Sequence, residues 1–270
     1  TGMGTYIYPS TGSKPRHAPS SIGGNAHVYD LNGNLTSGSG NTLTYDVENR
    51  PLTANGLAMV YDGDGFRVKL GNTVYISNLV EIDTGTGTTT NYIFLGDSQV
   101  ARKQSGAVHY YHGDKLSSVT AISDSTGVIV LRKTYAPYGK IVLQTGTLPD
   151  SFGLAGQRLD PTGLYHMGAR EMAPNMGLFV TPDPSNAPNP EKPQTLNRYA
   201  YALNTPTNLF DPTGYAAEDP KTSYDEFSFW AHTALAVGGS IPVLGAIPDA
   251  IDLVYTGIEV PFGKSSGTDF

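Results

Sequence analysis

Short runs of alternating apolar and polar residues dominate the first half of the chain. Phe66-Arg67-Val68-Lys69-Leu70, Thr73-Val74-Tyr75-Ile76 and Asn91-Tyr92-Ile93-Phe94-Leu95 follow a period of two, which marks strands with one buried face. Val128-Ile129-Val130-Leu131 is a short apolar run that leads into Tyr135-Ala136-Pro137-Tyr138-Gly139, a strand closing into a turn. Residues 83–90 are almost wholly Thr and Gly and read as an exposed hairpin tip. No stretch of 66–148 keeps a helical period for more than two turns.

A repeat underlies these strands. Tyr29-Asp30, Tyr45-Asp46 and Tyr61-Asp62 stand 16 residues apart. Each is followed by turn formers: Leu31-Asn32-Gly33-Asn34, Val47-Glu48-Asn49-Arg50 and Gly63-Asp64-Gly65. The unit is a strand and a turn, in which Tyr offers a broad face for stacking on the next strand and the short polar side chain bonds turn N–H groups. Asn32-Gly33 and Asp64-Gly65 are hairpin-type dipeptides that tolerate positive φ.

Residues 151–215 differ. Arg, Asn and Pro become denser, and Asp-Pro recurs at Asp160, Asp183 and Asp211, which predicts turns and extended loops. Residues 182–193 carry five prolines and read as a polyproline-like or irregular loop. Residues 196–204 read as a short helix ended by Asn204, with Pro206 beyond it. After Tyr215, a helix over 223–237, a Gly-rich apolar turn over 238–245 and a second helix from Pro248-Asp249 to about Tyr255 form a helical hairpin. Its glycine and proline breaks and His232 argue against one membrane-spanning helix.

Composition supports the β reading. Gly and Pro total 51 of 270 residues, Tyr contributes 17 and charged residues are 15%, which rules out a coiled coil, a helix bundle and a long-helix solenoid. The net charge is −7, with 24 acids against 17 bases and no run of three basic residues, so no nucleic-acid partner is expected. With no cysteine, disulfides, cysteine zinc sites and thiol catalysis are absent. No basic region followed by an apolar segment opens the chain. Its first residue is Thr, and it is expected to be a piece of something longer.

The ordered motifs resemble those of the Rhs/YD-repeat family, in particular its repeat-associated core. Tyr29-Asp30-Leu31-Asn32-Gly33-Asn34-Leu35, Tyr45-Asp46-Val47-Glu48-Asn49-Arg50-Pro51, Tyr110-Tyr111-His112-Gly113-Asp114 and Tyr135-Ala136-Pro137-Tyr138-Gly139 carry the likeness. Gly156-Gln157, Thr162-Gly163-Leu164-Tyr165, Gly168-Ala169-Arg170, Asn197-Arg198-Tyr199-Ala200-Tyr201 and Asp211-Pro212-Thr213-Gly214 follow in the family's order. The likeness covers residues 25–215. It implies a mainly β fold, an antiparallel strand–turn spiral sheet forming part of a β shell, with the small helical hairpin at its end. The implied division is repeat sheet over 1–150, repeat-associated core over 151–215 and an apolar, pre-toxin-like tail over 216–270.

The resemblance also implies partners and chemistry. The partners would be the rest of a larger shell, its own C-terminal passenger (in this family often a toxin), an immunity protein or a target-cell surface, with membrane contact open to the tail. The setting would be secreted or cell-surface. Many members cut their own chain just past the terminal DPxG by an aspartic-protease-like mechanism. By position this assigns Arg170, Asp183 and Asp211 as the catalytic set and Tyr215–Ala216 as the scissile bond. Departures occur at Arg170-Glu171-Met172-Ala173-Pro174, Lys115, Ser117, Leu178 and Tyr215.

The chemistry of those residues stands on its own terms. Two carboxylates hydrolyse a peptide when one is protonated, the other ionised and a water lies between them; proximity raises one pKa and permits that split. An arginine can hold one carboxylate ionised or position it. Asp183 and Asp211 can equally be turn caps, so two functions stand. One is a shell segment that encloses or presents a passenger and cleaves itself; the other is a non-catalytic surface or secreted interaction module. His109 and His112, with Asp97 and Asp114, have no ligand spacing and read as strand and turn residues. Asp62-Gly63-Asp64-Gly65 lacks a calcium loop. No cofactor or metal is expected.

Overall fold

A computed structural model describes residues 3–10, 15, 17–96, 98–184 and 193–219. The anticipated helical hairpin and most of the 182–193 loop lie outside the described residues. Among the described residues, fourteen antiparallel strands run from Val28–Tyr29 to Ile141–Thr145 in one sheet, each bonded to its neighbours in sequence. Three two-residue strands (Tyr6–Ile7, Ser21–Ile22 and Asn25–Ala26) precede it. A four-stranded sheet of Arg158–Leu159, Tyr165–Met167, Arg170–Ala173 and Leu178–Phe179 follows. No helix among the described residues is long and apolar enough to cross a membrane.

One loop builds the large sheet. Asp46 Oδ1 accepts the N–H groups of Glu48 and Arg50, both at 2.9 Å, while Asp46 N–H reaches Arg50 C=O and Asn49 N–H reaches Asp46 C=O. The same bonds close the loops at Asp30, Asp62, Asp114 and Asp124. The fourth loop residue is left-handed: Gly33, Gly65 and Gly127 at three loops, Asn49 and Ser117 at the others. Strand pairing shifts by one residue at Tyr29, Tyr45 and Tyr61. These are therefore three-residue turns with a bulge, in which only the glycine of Asn32-Gly33 and Asp64-Gly65 takes positive φ.

The rings of Tyr29, Tyr45 and Tyr61 pack against the core cluster, and the repeat tyrosines act through their hydroxyls as well. Each donates to the carbonyl ten residues earlier: Tyr29 to Pro19 at 3.2 Å, Tyr45 to Leu35 at 2.7 Å and Tyr61 to Pro51 at 3.0 Å. For Tyr45 and Tyr61 that bond reaches the adjacent strand and ties each repeat to the one before. Burial pushes all three phenols well above the ordinary tyrosine range, so they remain donors.

Alternation decides what the sheet covers. Along Asn41–Tyr45, Leu43 points inward and Thr42 and Thr44 outward, and Thr44 meets Thr53 on the outer face at 2.7 Å. Leu35, Leu43, Ala54, Met59 and Leu70 pack against Leu164, Ala173, Met176, Leu178, Val180 and Tyr199. The later segment thus packs against the buried face of the repeat sheet. Arg158 fastens it, with its guanidinium among the rings of Tyr75, Tyr92 and Phe152 at 5.2, 4.9 and 4.3 Å and paired with Glu81. Burial lowers its pKa to about 10.

The helix anticipated over 196–204 is replaced by two single 3-10 turns, Pro193–Leu196 and Tyr201–Asn204. Between them Ala200 is extended and bridges Leu178. The cause is packing. Tyr199 enters one hydrophobic cluster and Tyr201 another, and the left-handed backbone of Ala202, Leu203 and Asn204 interrupts any helix between them and Pro206.

Candidate active site

Two glycines bring two distant segments together. Gly168, at φ +68°, precedes the strand Arg170–Ala173, and a Cβ on it would stand 2.7 Å from Thr213 O. Gly214, at φ +76°, is as tight: a Cβ would overlap Met167 O and lie 2.9 Å from Arg170 N. Ala169 N–H donates to Thr213 O at 3.0 Å. The Asp211–Gly214 loop therefore lies directly on the start of the Arg170 strand.

Arg170 is buried and fully engaged. Its Nε donates to Gly214 O, Nη1 to Arg198 O at 3.2 Å and Nη2 to Asp211 Oδ2 at 3.2 Å. The same Nη2 lies 3.4 Å from Asp183 Oδ2. The two carboxylate oxygens can thus be no further apart than these two contacts laid end to end. The ring of Phe179 covers the guanidinium at 3.6 Å. Burial lowers the Arg170 pKa, against the raising effect of Asp183 and Asp211.

The two aspartates differ in setting. Asp211 is 2% exposed, and its Oδ1 accepts Gly214 N–H at 2.8 Å and Ala216 N–H at 3.2 Å. Burial pushes its pKa up; Arg170 and the N–H groups of Gly214, Ala216 and Thr213 oppose that rise. Asp183 keeps a side-chain exposure of 20%. Ala216 N belongs to the anticipated scissile bond, so Asp211 is in hydrogen-bond reach of that peptide. Tyr215 is half exposed and lines a cavity of about 500 Å³ with Arg170, Arg198, His166 and Glu171.

Sequence reasoning missed two features beside this group. Arg198 holds the backbone of Asp183, accepting its N–H at 2.8 Å and donating to its C=O from Nε at 2.9 Å and from Nη2. Beneath lies a buried charge cluster in which Arg67 Nη1 and Nη2 reach Asp160 at 2.5 and 3.1 Å and Nη1 reaches Glu171 at 3.1 Å. His166 Nδ1 is 2.9 Å from the same Glu171 oxygen. Burial works against the Glu171 carboxylate, but His166 and Arg67 outweigh it and leave the pKa below the ordinary value. The available signal was the duplicated Asp-Pro-Thr-Gly at 160–163 and 211–214. Among the other candidates, His112 Nε2 meets Ser123 at 2.9 Å and Asp114 closes its turn; Asp97 lies outside the described residues.

A family model described as Teneurin YD-shell matches residues 86–207. The tRNA3(Ser)-specific nuclease WapA of Bacillus spizizenii is 29% identical over 160 residues, covering 57% of this chain and 6% of the relative. The toxin protein Tse5 of Pseudomonas aeruginosa is 31% identical over 126 residues, or 44% of this chain and 8% of the relative. The crystal structure of TcdB2-TccC3 superposes with a TM-score of 0.58 at 22% identity, covering 69% of this chain and 11% of that one. The chain thus spans less than a tenth of the length of these two curated relatives. The TcdB2-TccC3 likeness shows a shared fold, and the family-model match and the curated relatives, with the Tyr-Asp loops and the ordered core motifs, support an Rhs/YD-repeat protein.

Proposed function

We propose that this chain is a shell segment that encloses or presents a C-terminal passenger of toxin type and frees it by cutting its own Tyr215–Ala216 bond. Residues 1–150 are wall in this reading, 151–215 the closing core and 216–270 the start of the passenger side. The partners are the rest of the shell and the passenger, in a secreted or cell-surface setting. One observation carries the cleavage: a single Arg170 nitrogen contacts both Asp183 and Asp211, while Asp211 also touches Ala216 N–H.

The step follows from the two settings. Asp183, with the greater access to solvent, takes a proton from a water whose oxygen attacks the Tyr215 carbonyl carbon. Asp211, buried and within hydrogen-bond reach of Ala216 N, is the proton donor: in its protonated form it gives its proton to Ala216 N as the C–N bond breaks. The products are a carboxyl at Tyr215 and an amine at Ala216, with one water consumed. Arg170 keeps the carboxylates in register and offsets negative charge.

Mass spectrometry of the purified chain tests this. Wild type is expected to yield a fragment beginning at Ala216, absent from Asp183→Asn and Asp211→Asn. A wild-type chain that stays intact through prolonged incubation rejects it in favour of a non-cleaving surface or secreted interaction module. That second reading is favoured by the apolar residues Leu31, Val47 and Phe66, which stand fully or largely exposed at successive repeat loops.

A further inference from the structure

We infer that Arg198 is the positioning residue of the cleavage site, setting the Asp183 carboxylate against Arg170 without touching the reacting bond. The inference rests on the self-cleavage reading.

Asp183 sits between Pro182 and Pro184, in no strand or helix. Proline has no N–H, so neither neighbour can donate a backbone bond to fix this stretch. Both backbone groups of Asp183 are instead bonded to Arg198: its N–H donates to Arg198 O at 2.8 Å, and its C=O accepts from Arg198 Nε at 2.9 Å and from Nη2. The same Arg198 O accepts Arg170 Nη1 at 3.2 Å. One residue thereby fixes the peptides on both sides of the Asp183 Cα and one arm of the guanidinium that both aspartates share.

Arg198 is itself anchored. Its neighbour Tyr199 is buried, donates its hydroxyl to Gly33 O at 2.7 Å and accepts Phe179 N–H at 2.9 Å. A Cβ on Gly33 would stand 2.6 Å from that hydroxyl, so the first Tyr-Asp loop is shaped to receive it. The alignment of Asp183 is thus referred back to the repeat sheet. The two-pronged bond needs the fixed fork of a guanidinium; an ammonium on a flexible stem supplies a single point of contact.

The test follows the appearance of the Ala216 fragment from the full chain made by cell-free translation. Misplacing a reacting group by about 1 Å costs about 100-fold in rate, and Arg198→Ala is expected to lose about that much. Arg198→Lys should fall between, and millimolar guanidinium should restore part of the Ala variant's rate at an unchanged melting temperature. Cleavage of Arg198→Ala at the wild-type rate overturns the inference. So does a slow Ala variant with a lowered melting temperature that neither lysine nor guanidinium improves, since that marks a structural role alone. An uncut wild type overturns the self-cleavage reading, and the role of Arg198 with it.

Discussion

Replacing Arg67 by Met tests what holds the closing core against the repeat sheet. Arg67 stands on the strand Arg67–Leu70, while its partners Asp160 and Glu171 belong to the later segment, so the cluster is a charged link between the two sheets. The side chains of all three are 1–2% exposed. Met preserves much of the volume but strands two buried carboxylates, with His166 left as the near partner of one. Breaking a buried pair by removing one member costs about 3–5 kcal/mol. For a unit of this size that lowers the melting temperature by about 6–20 °C. The assay is thermal unfolding by circular dichroism at pH 7 and at pH 5. Burial already pushes the Asp160 carboxyl up against the pull of Arg67, and removing Arg67 pushes it higher. The folded variant then binds a proton before the unfolded chain does, whose aspartate titrates near pH 3.9. Its stability therefore rises as pH falls from 7 towards that value, and the deficit relative to wild type narrows. A variant melting within 2 °C of wild type at pH 7, or a deficit that widens at pH 5, refutes this account.

Tyr45→Phe removes one rung donor, 2.7 Å from Leu35 O, and should lower stability by about 1 kcal/mol in urea unfolding; an unchanged midpoint would mean that the hydroxyl is not a tie between repeats. Gly214→Ala forces a left-handed alanine against Met167 O and Arg170 N, and strained backbone of this kind costs about 1–3 kcal/mol before the collision is counted. That variant should unfold at lower urea and yield less of the Ala216 fragment by mass spectrometry, and wild-type behaviour in both would remove the close approach from the argument. The Asp124 carboxylate accepts from the Thr126 hydroxyl and from the N–H groups of Thr126 and Val128, which hold its pKa below 3.8. Its stabilising contribution is full above the unfolded value and disappears as pH falls through the depressed one, so a carboxyl carbon NMR midpoint at or above 3.8 would contradict the loop assignment.

Local sequence determined a good deal of this protein. The runs over 66–70 and 73–76 appear as the strands Arg67–Leu70 and Thr73–Ile76, but their burial does not alternate: Phe66 is exposed and Arg67 buried, because the charge partners of Arg67 lie in the later segment. The 16-residue Tyr-Asp spacing fixes the loop, because its bonds run between residues two to four apart. Family motifs gave the order of the core and named Arg170, Asp183 and Asp211. What the tyrosine hydroxyls do was not legible, since a bond to the carbonyl ten residues back exists only after the strands pair. The 196–204 segment was misread because its apolar residues serve two separate clusters, and no local pattern encodes a division between cores.

The duplicated Asp-Pro-Thr-Gly states the boundary most plainly. The two loops have the same four residues, yet Asp160 is bound to Arg67 and Asp211 to Arg170 and the Ala216 amide. A carboxylate in a loop is a turn former by its nearest neighbours and a catalytic candidate only by a charge more than 40 residues away. Sequence set the turns; tertiary packing decided which aspartate meets which arginine, because electrostatic pairing depends on distance in space.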